Sequence, residues 1–145
     1  MNFDEKISTY KNIINNQLND IYSEGPANIR GPVNHVLKGG KRFRPILCLL
    51  TCSSFNGNKD NGLIASVAIE LLHNFTLVHD DIMDNDDLRH GNPTIHSKWN
   101  DSIAILSGDA ILALALIHLN HLTDSKNLII EKFNEALIKV CEGQA

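Results

Sequence analysis

The chain has few cysteines and no close-set pair of the CxxC kind. Cys48, Cys52 and Cys141 are the only three. An odd, scattered set excludes a disulfide framework and points to reduced thiols in a cytoplasmic protein. Cys48 and Cys52 are four apart on an expected helix, close enough for metal ligation, but no second pair completes a site. They read as small buried hydrophobes. No stretch interleaves basic and aromatic residues, and the net charge is −4. Both features argue against nucleic-acid binding. The opening residues, MNFDEKIS, carry acids where a signal peptide would carry basic and apolar residues. The most apolar segment, Ile103 to Leu119, is interrupted by Ser107, Gly108, Asp109 and His118. It falls short of the roughly 18 uninterrupted apolar residues of a membrane span, so no transmembrane segment is expected. There is no alternating strand pattern, no hairpin dipeptide between strand-like runs, no internal repeat and no low-complexity tract.

What is present is helical. The 145 residues are 43% hydrophobic and 21% charged, one globular domain's worth with a real core. Phe3, Ile7, Tyr10, Ile14, Leu18 and Ile21 step by three and four, which predicts an amphipathic helix ended by Gly25-Pro26. A short helix from Pro26 or Pro32 to Lys38 is stopped by Gly39-Gly40. Pro45 opens the next, whose apolar body is Ile46 to Phe55. A long helix runs from about Asn61 to Asp84, another from Trp99 to Leu122 and a last from Leu128 to Gly143. The expected fold is all-α, a multi-helix bundle.

The densest chemistry lies in LVHDDIMDNDDLRHGNPTIH, Leu77 to His96. Asp80, Asp81, Asp84, Asp86 and Asp87 fall within eight residues. Such crowding is unfavourable unless something positive sits there. It also lies at a helix C-terminus, where carboxylates oppose the macrodipole. Asp80 and Asp84 share a helix face, and His73 lies two turns back on it. A pair of carboxylates so spaced suits a hard divalent cation that takes its remaining ligands from water and phosphate. An EF-hand does not fit, since Arg89 falls where Gly is required in one register and Leu88 and Ser97 at ligand positions in the other. A solvated acidic helix end is the plain alternative.

A basic counterpart precedes it. Lys38, Lys41, Arg42 and Arg44 lie within seven residues, beside Gly39-Gly40. Glycines let the backbone approach an anion, and the cations complete a phosphate site. It is not a P-loop, which would need Gly in place of His35 and Ser or Thr in place of Arg42. A surface basic patch is the alternative. His73 alone would read as a core histidine, and His79 has no evident role.

These motifs resemble the trans-isoprenyl diphosphate synthases, or polyprenyl synthetases. Gly39-Gly40-Lys41-Arg42-Phe43-Arg44-Pro45 is similar to GGKRxRP, and Asp80-Asp81-Ile82-Met83-Asp84 to the first DDxxD motif. Glu70 to His73, Ser107 to Ala110 and Glu142 to Gln144 resemble further landmarks. The resemblance implies an all-α fold of the isoprenoid synthase type and a homodimer. It implies Mg²⁺-assisted, head-to-tail condensation of isopentenyl diphosphate with an allylic diphosphate. Carried over, Asp80 and Asp84 would bind Mg²⁺, with Asp81 in support. Arg89, and His90 where the family has a second Arg, would face the allylic diphosphate. Gly40, Lys41, Arg44 and His73 would hold isopentenyl diphosphate. Phe75 resembles the chain-length floor of short-chain synthases that make farnesyl or geranylgeranyl diphosphate. Helix geometry supports this less, since at about 100° per residue Phe75 lies roughly 140° from Asp80 and Thr76 about 40°.

The resemblance also implies a second aspartate-rich motif, which has no counterpart here. The chain is therefore expected to be the N-terminal part of a single synthetase domain (residues 1–145), inactive alone, or a short relative. Two other readings stay open: a non-catalytic or regulatory subunit of a prenyl synthase complex, and a helical protein that merely binds Mg²⁺ and phosphate.

Overall fold

A computed structural model describes residues 2–145. Its helices are α1 (Phe3–Asp20), α2 (Ala27–Leu37), α3 (Phe43–Ser54), α4 (Lys59–Asp84), α5 (Ile95–Lys98), α6 (Asp101–Leu119) and α7 (Lys126–Gln144). The all-α expectation holds. One small departure is a two-stranded hairpin, β1 (Leu88–Arg89) against β2 (Asn92–Pro93), with Leu88 opposite Pro93 and Arg89 opposite Asn92. His90 and Gly91 form its turn with φ of 53° and 80°. Two-residue hairpin turns demand this left-handed conformation. His adopts it more readily than most residues, so His-Gly serves where Asn-Gly would be the usual signal.

Helix boundaries follow local capping. Asn2 accepts from the Glu5 amide at 2.8 Å and Glu5 accepts from the Asn2 amide at 2.8 Å, a reciprocal box that starts α1. Asn58 accepts from the amides of Asp60 and Asn61, which starts α4 two residues before the expected Asn61. Asn100 accepts from the Ile103 amide at 2.8 Å. That cap starts α6 two residues after the expected Trp99 and separates it from the short α5. Asn85, with φ 56°, ends α4 as a left-handed cap.

The organising element is α4. α6 packs along it more extensively than any other helix does, and α3 next. Val67, Ala68, Leu71 and Val78 of α4 meet Ala104, Ile111 and Ala115 of α6 in the core. Ile14 and Leu18 of α1, Val33 and Leu37 of α2, and Ile46 and Leu49 of α3 complete it. Burying such side chains contributes about 1.5–3 kcal/mol each. Gly108 lets α6 approach closely, for a Cβ there would overlap the His79 ring. By length and composition α4 and α6 pass for membrane spans, with mean hydropathy 1.3 and 2.0. The expectation of no such segment rested on uninterrupted runs, and averaging hides Asp109 and His118. Cys48 and Cys52 are half-buried on the wall of a groove rather than enclosed as expected.

One buried ion pair ties four elements together. Arg42 is only 4% exposed and sits at the N-terminus of α3 with φ 55°. Its Nη1 donates to Glu70 Oε1 of α4 at 2.8 Å, and its Nε donates to Asn15 Oδ1 of α1 at 2.9 Å. Its Nη2 donates to the Leu37 carbonyl at the end of α2. Replacing Glu70 by Leu leaves the guanidinium buried without a counter-charge. Chemical denaturation is expected to show a loss of about 3–5 kcal/mol for Glu70→Leu. A loss below about 1 kcal/mol, the range of exposed pairs, would show that the pair is not the tie described.

Candidate functional site

The residues of the basic motif and the C-terminal half of α4 enclose a cavity of about 710 Å³. Its floor is the α4 face bearing Glu70, His73, Asn74, Leu77 and Asp81. One wall is the segment Lys38 to Arg44, and the other is the hairpin with Arg89 and His90. Gly39 and Gly40 adopt φ of 76° and 92°, which turns the chain out of α2 and over the opening. Lys38, Lys41 and Arg44 are exposed, and among the described residues none of them has a carboxylate partner. Arg42 is the exception among the four cations. It is turned inward to Glu70, so three remain for an anion.

Arg44 Nη1 lies 3.2 Å from His73 Nε2. A guanidinium only donates, so Nε2 accepts and the neutral ring carries its proton on Nδ1. Burial, and then the Arg44 charge, hold the His73 pKa below its usual 6.5.

The acidic residues divide into two groups. Asp81 is 4% exposed and faces the cavity. The Arg89 Nε and Nη2 both lie 2.6 Å from Asp81 Oδ1, and Nη2 lies 3.9 Å from Asp86 Oδ2. Burial pushes the Asp81 carboxyl up, and Arg89 pulls it part of the way back. Asp80 and Asp84 do not line the cavity, although His73, two turns before Asp80 on the same face, does. Asp80 is half-buried and Asp84 exposed, and among the described residues neither has a hydrogen-bond or ion-pair partner. They offer hard oxygens one turn apart, at the negative end of α4's macrodipole. That donor set fits a hydrated divalent cation. The site residues from sequence thus fall into a cationic cavity (Gly40, Lys41, Arg44, His73, Asp81, Arg89, His90) and an acidic rim (Asp80, Asp84).

Sequence reasoning missed the supports. Glu70 and Asn15 hold Arg42, and neither has a local signal. His35 Nε2 bonds the Pro93 carbonyl at 2.8 Å and its ring meets Trp99 edge-on, which pins the hairpin to α2. His79 had no assigned role. It bonds the Phe75 carbonyl through Nδ1 at 3.0 Å and packs tilted against the Phe75 ring, with centroids 4.6 Å apart. The glycine inside α6 was its one visible signal, as a mark of close packing.

Comparison with known proteins now decides the lineage. The family model for polyprenyl synthetase matches residues 26–145. The chain belongs to the polyprenyl synthetase family. A short chain isoprenyl diphosphate synthase from Methanocaldococcus jannaschii is 43% identical over 109 residues, 74% of this chain and 33% of that protein. A geranylgeranyl pyrophosphate synthase from Geoglobus acetivorans is 36% identical over 146 residues, 97% of this chain and 46% of that one. The solved geranylgeranyl pyrophosphate synthetase from Pyrococcus horikoshii superposes with a TM-score of 0.90 at 33% identity, over 98% of this chain and 46% of that one. The fold is therefore that of a polyprenyl synthetase, and the chain spans a third to a half of the length of these relatives.

The lowered His73 pKa and the raised Asp81 pKa have opposite signs for stability. An unfolded His73 takes up a proton near 6.5 that the folded ring refuses, so this group's contribution to stability is full above 6.5 and declines as pH falls toward the folded pKa. Asp81, raised, acts oppositely: its contribution is full below 3.8 and is lost as pH rises through its folded value. An anion in the cavity favours charged His73. In NMR titrations, the His73 midpoint is expected below 6.5 in the free chain and higher with inorganic pyrophosphate. A midpoint that does not move with pyrophosphate would remove His73 from the anion site.

Proposed function

We propose that this polyprenyl synthetase chain supplies the diphosphate-handling part of a trans-prenyltransferase. The reaction joins isopentenyl diphosphate head-to-tail to an allylic diphosphate. The observation that carries this reading is the pairing of a cationic cavity with an unpartnered Asp80/Asp84 rim on one helix end. Lys41, Arg44 and His73, with the backbone at Gly40, bind the diphosphate of isopentenyl diphosphate. Asp80 and Asp84 hold Mg²⁺, which when bound supplies positive charge to the leaving diphosphate of the allylic substrate. Arg89 and His90 stand beside it, and Asp81 fixes the direction of the Arg89 guanidinium. Apolar helix faces around α4 keep water from the allylic cation that ionisation creates.

The finer features rest on the same footing. Phe75, backed by His79, limits product length, which supports a short-chain product such as farnesyl or geranylgeranyl diphosphate. The exposed Ile105, Leu106, Leu116 and Ile117 on α6 support a homodimer. We read α4 and α6 as core helices of a cytoplasmic protein without a transmembrane segment, and the net charge gives no support for a nucleic-acid partner. The free carboxylate pair favours the catalytic reading over a regulatory subunit, which has no need to keep metal ligands.

Asp80→Ala is expected to weaken Mg²⁺-dependent binding of a non-hydrolysable allylic diphosphate analogue by on the order of a hundredfold, at least the loss seen on disturbing a metal site's outer shell. Calorimetry reads the affinity, and circular dichroism should show unchanged helicity. Metal-dependent affinity equal to wild type would sink the assignment. Turnover of labelled isopentenyl diphosphate with farnesyl diphosphate and Mg²⁺ by the full-length protein should give a longer prenyl diphosphate. Binding of both substrates without any product would point to the subunit reading instead.

A further inference from the structure

A second concave feature adjoins the diphosphate site and shares Arg44 with it. It is a groove of about 640 Å³ along α3 and α4, closed on one side by the start of α7. Its walls are mostly apolar, with Leu47, Ala65, Ile69 and Ile129. Cys48 and Cys52 both line it, one turn apart on α3. Both are free thiols.

The local chain is shaped around one of these sulfurs. A Cβ at Gly62 would lie 2.7 Å from Cys52 Sγ, and a Cβ at Gly57 would lie 2.8 Å from it. Glycine at both positions leaves room for the thiol. Cys52 Sγ also donates to the Asn58 carbonyl at 3.4 Å. The Cys48 thiol is pushed up by burial and then by Cys52. A direct disulfide does not suit this spacing. Helical residues four apart hold their Cβ atoms about 5–6 Å apart, whereas a disulfide needs about 3.5–4.5 Å. A single larger atom between the sulfurs spans the gap without moving the helix.

We propose that Cys48 and Cys52 form a dithiol site for monosubstituted trivalent arsenicals, with the organic substituent seated in the apolar groove. With an arsine oxide, the two S–H bonds and the arsenic–oxygen bonds break and two arsenic–sulfur bonds form. Both thiol protons leave with the oxygen as one water. Arsenic stays trivalent, so nothing is oxidised or reduced. The site stands apart from the Asp80/Asp84 rim and needs no prenyl substrate.

The probe is phenylarsine oxide, added to the whole chain and followed by intact-mass spectrometry. The wild type is expected to gain one phenylarsenic per chain, to keep it in excess 2-mercaptoethanol and to release it to 2,3-dimercaptopropanol. Cys48→Ser or Cys52→Ser should weaken retention by on the order of a hundredfold, the factor a second tethered contact supplies. Cys141→Ser should behave as wild type, since that exposed thiol lies outside the groove. Circular dichroism checks each variant, and Cys48→Ala or Cys52→Ala replaces a serine variant that does not fold. No adduct on the wild type, or full retention in both single variants, overturns the proposal.

Discussion

The Arg42–Glu70 ion pair is the constraint on which the site's shape depends. Arg42 stands where the chain leaves Gly39-Gly40 and enters α3, in a backbone conformation that costs a non-glycine residue of order 1–3 kcal/mol. Its contacts to Glu70, Asn15 and the Leu37 carbonyl hold it there. The consequence is directional. With Arg42 pulled into the interior, Lys41 and Arg44 on either side are left exposed beside the cavity. A buried charge pair of this kind contributes little net stability compared with apolar packing. Its role here is to set which side chains of a cationic run face inward and which face the cavity.

A similar division governs the acids. Asp81 is buried and satisfied by Arg89, while Asp80 and Asp84 have no partner among the described residues. The hairpin makes this possible. His90 and Gly91 reverse the chain so that Arg89 returns to α4, and His35 anchors the far strand. Arg89 is thereby both a neutraliser of Asp81 and a wall of the cavity.

Membership of the polyprenyl synthetase family and the superposition on solved synthetases agree with the packing of α4 against α6 and α3. The chain matches a third to a half of the length of its relatives. Several apolar side chains on α6 and α7, such as Leu106, Ile117 and Ile138, lie at the surface of these residues. The cavity-lining motifs nevertheless fall into place among these residues, because each lies on α4 or on a turn packed directly against it.

Much was legible in the sequence. Helical periodicity, the glycine pair, the basic run and the DDxxD spacing are local signals, and local signals fix helices and place motifs on them. They determined the all-α class, most helix boundaries within a few residues, and the set of candidate ligands. Tertiary structure alone decided how those ligands are shared out. Nothing in the string KRFR separates Arg42 from Lys41 and Arg44, and nothing in HDDIMD separates Asp81 from Asp80. The partners that separate them, Glu70, Asn15 and Arg89, are 28, 27 and 8 residues away in sequence. Burial and pairing depend on which surfaces meet, and that is settled only when α1, α3 and the hairpin close on α4.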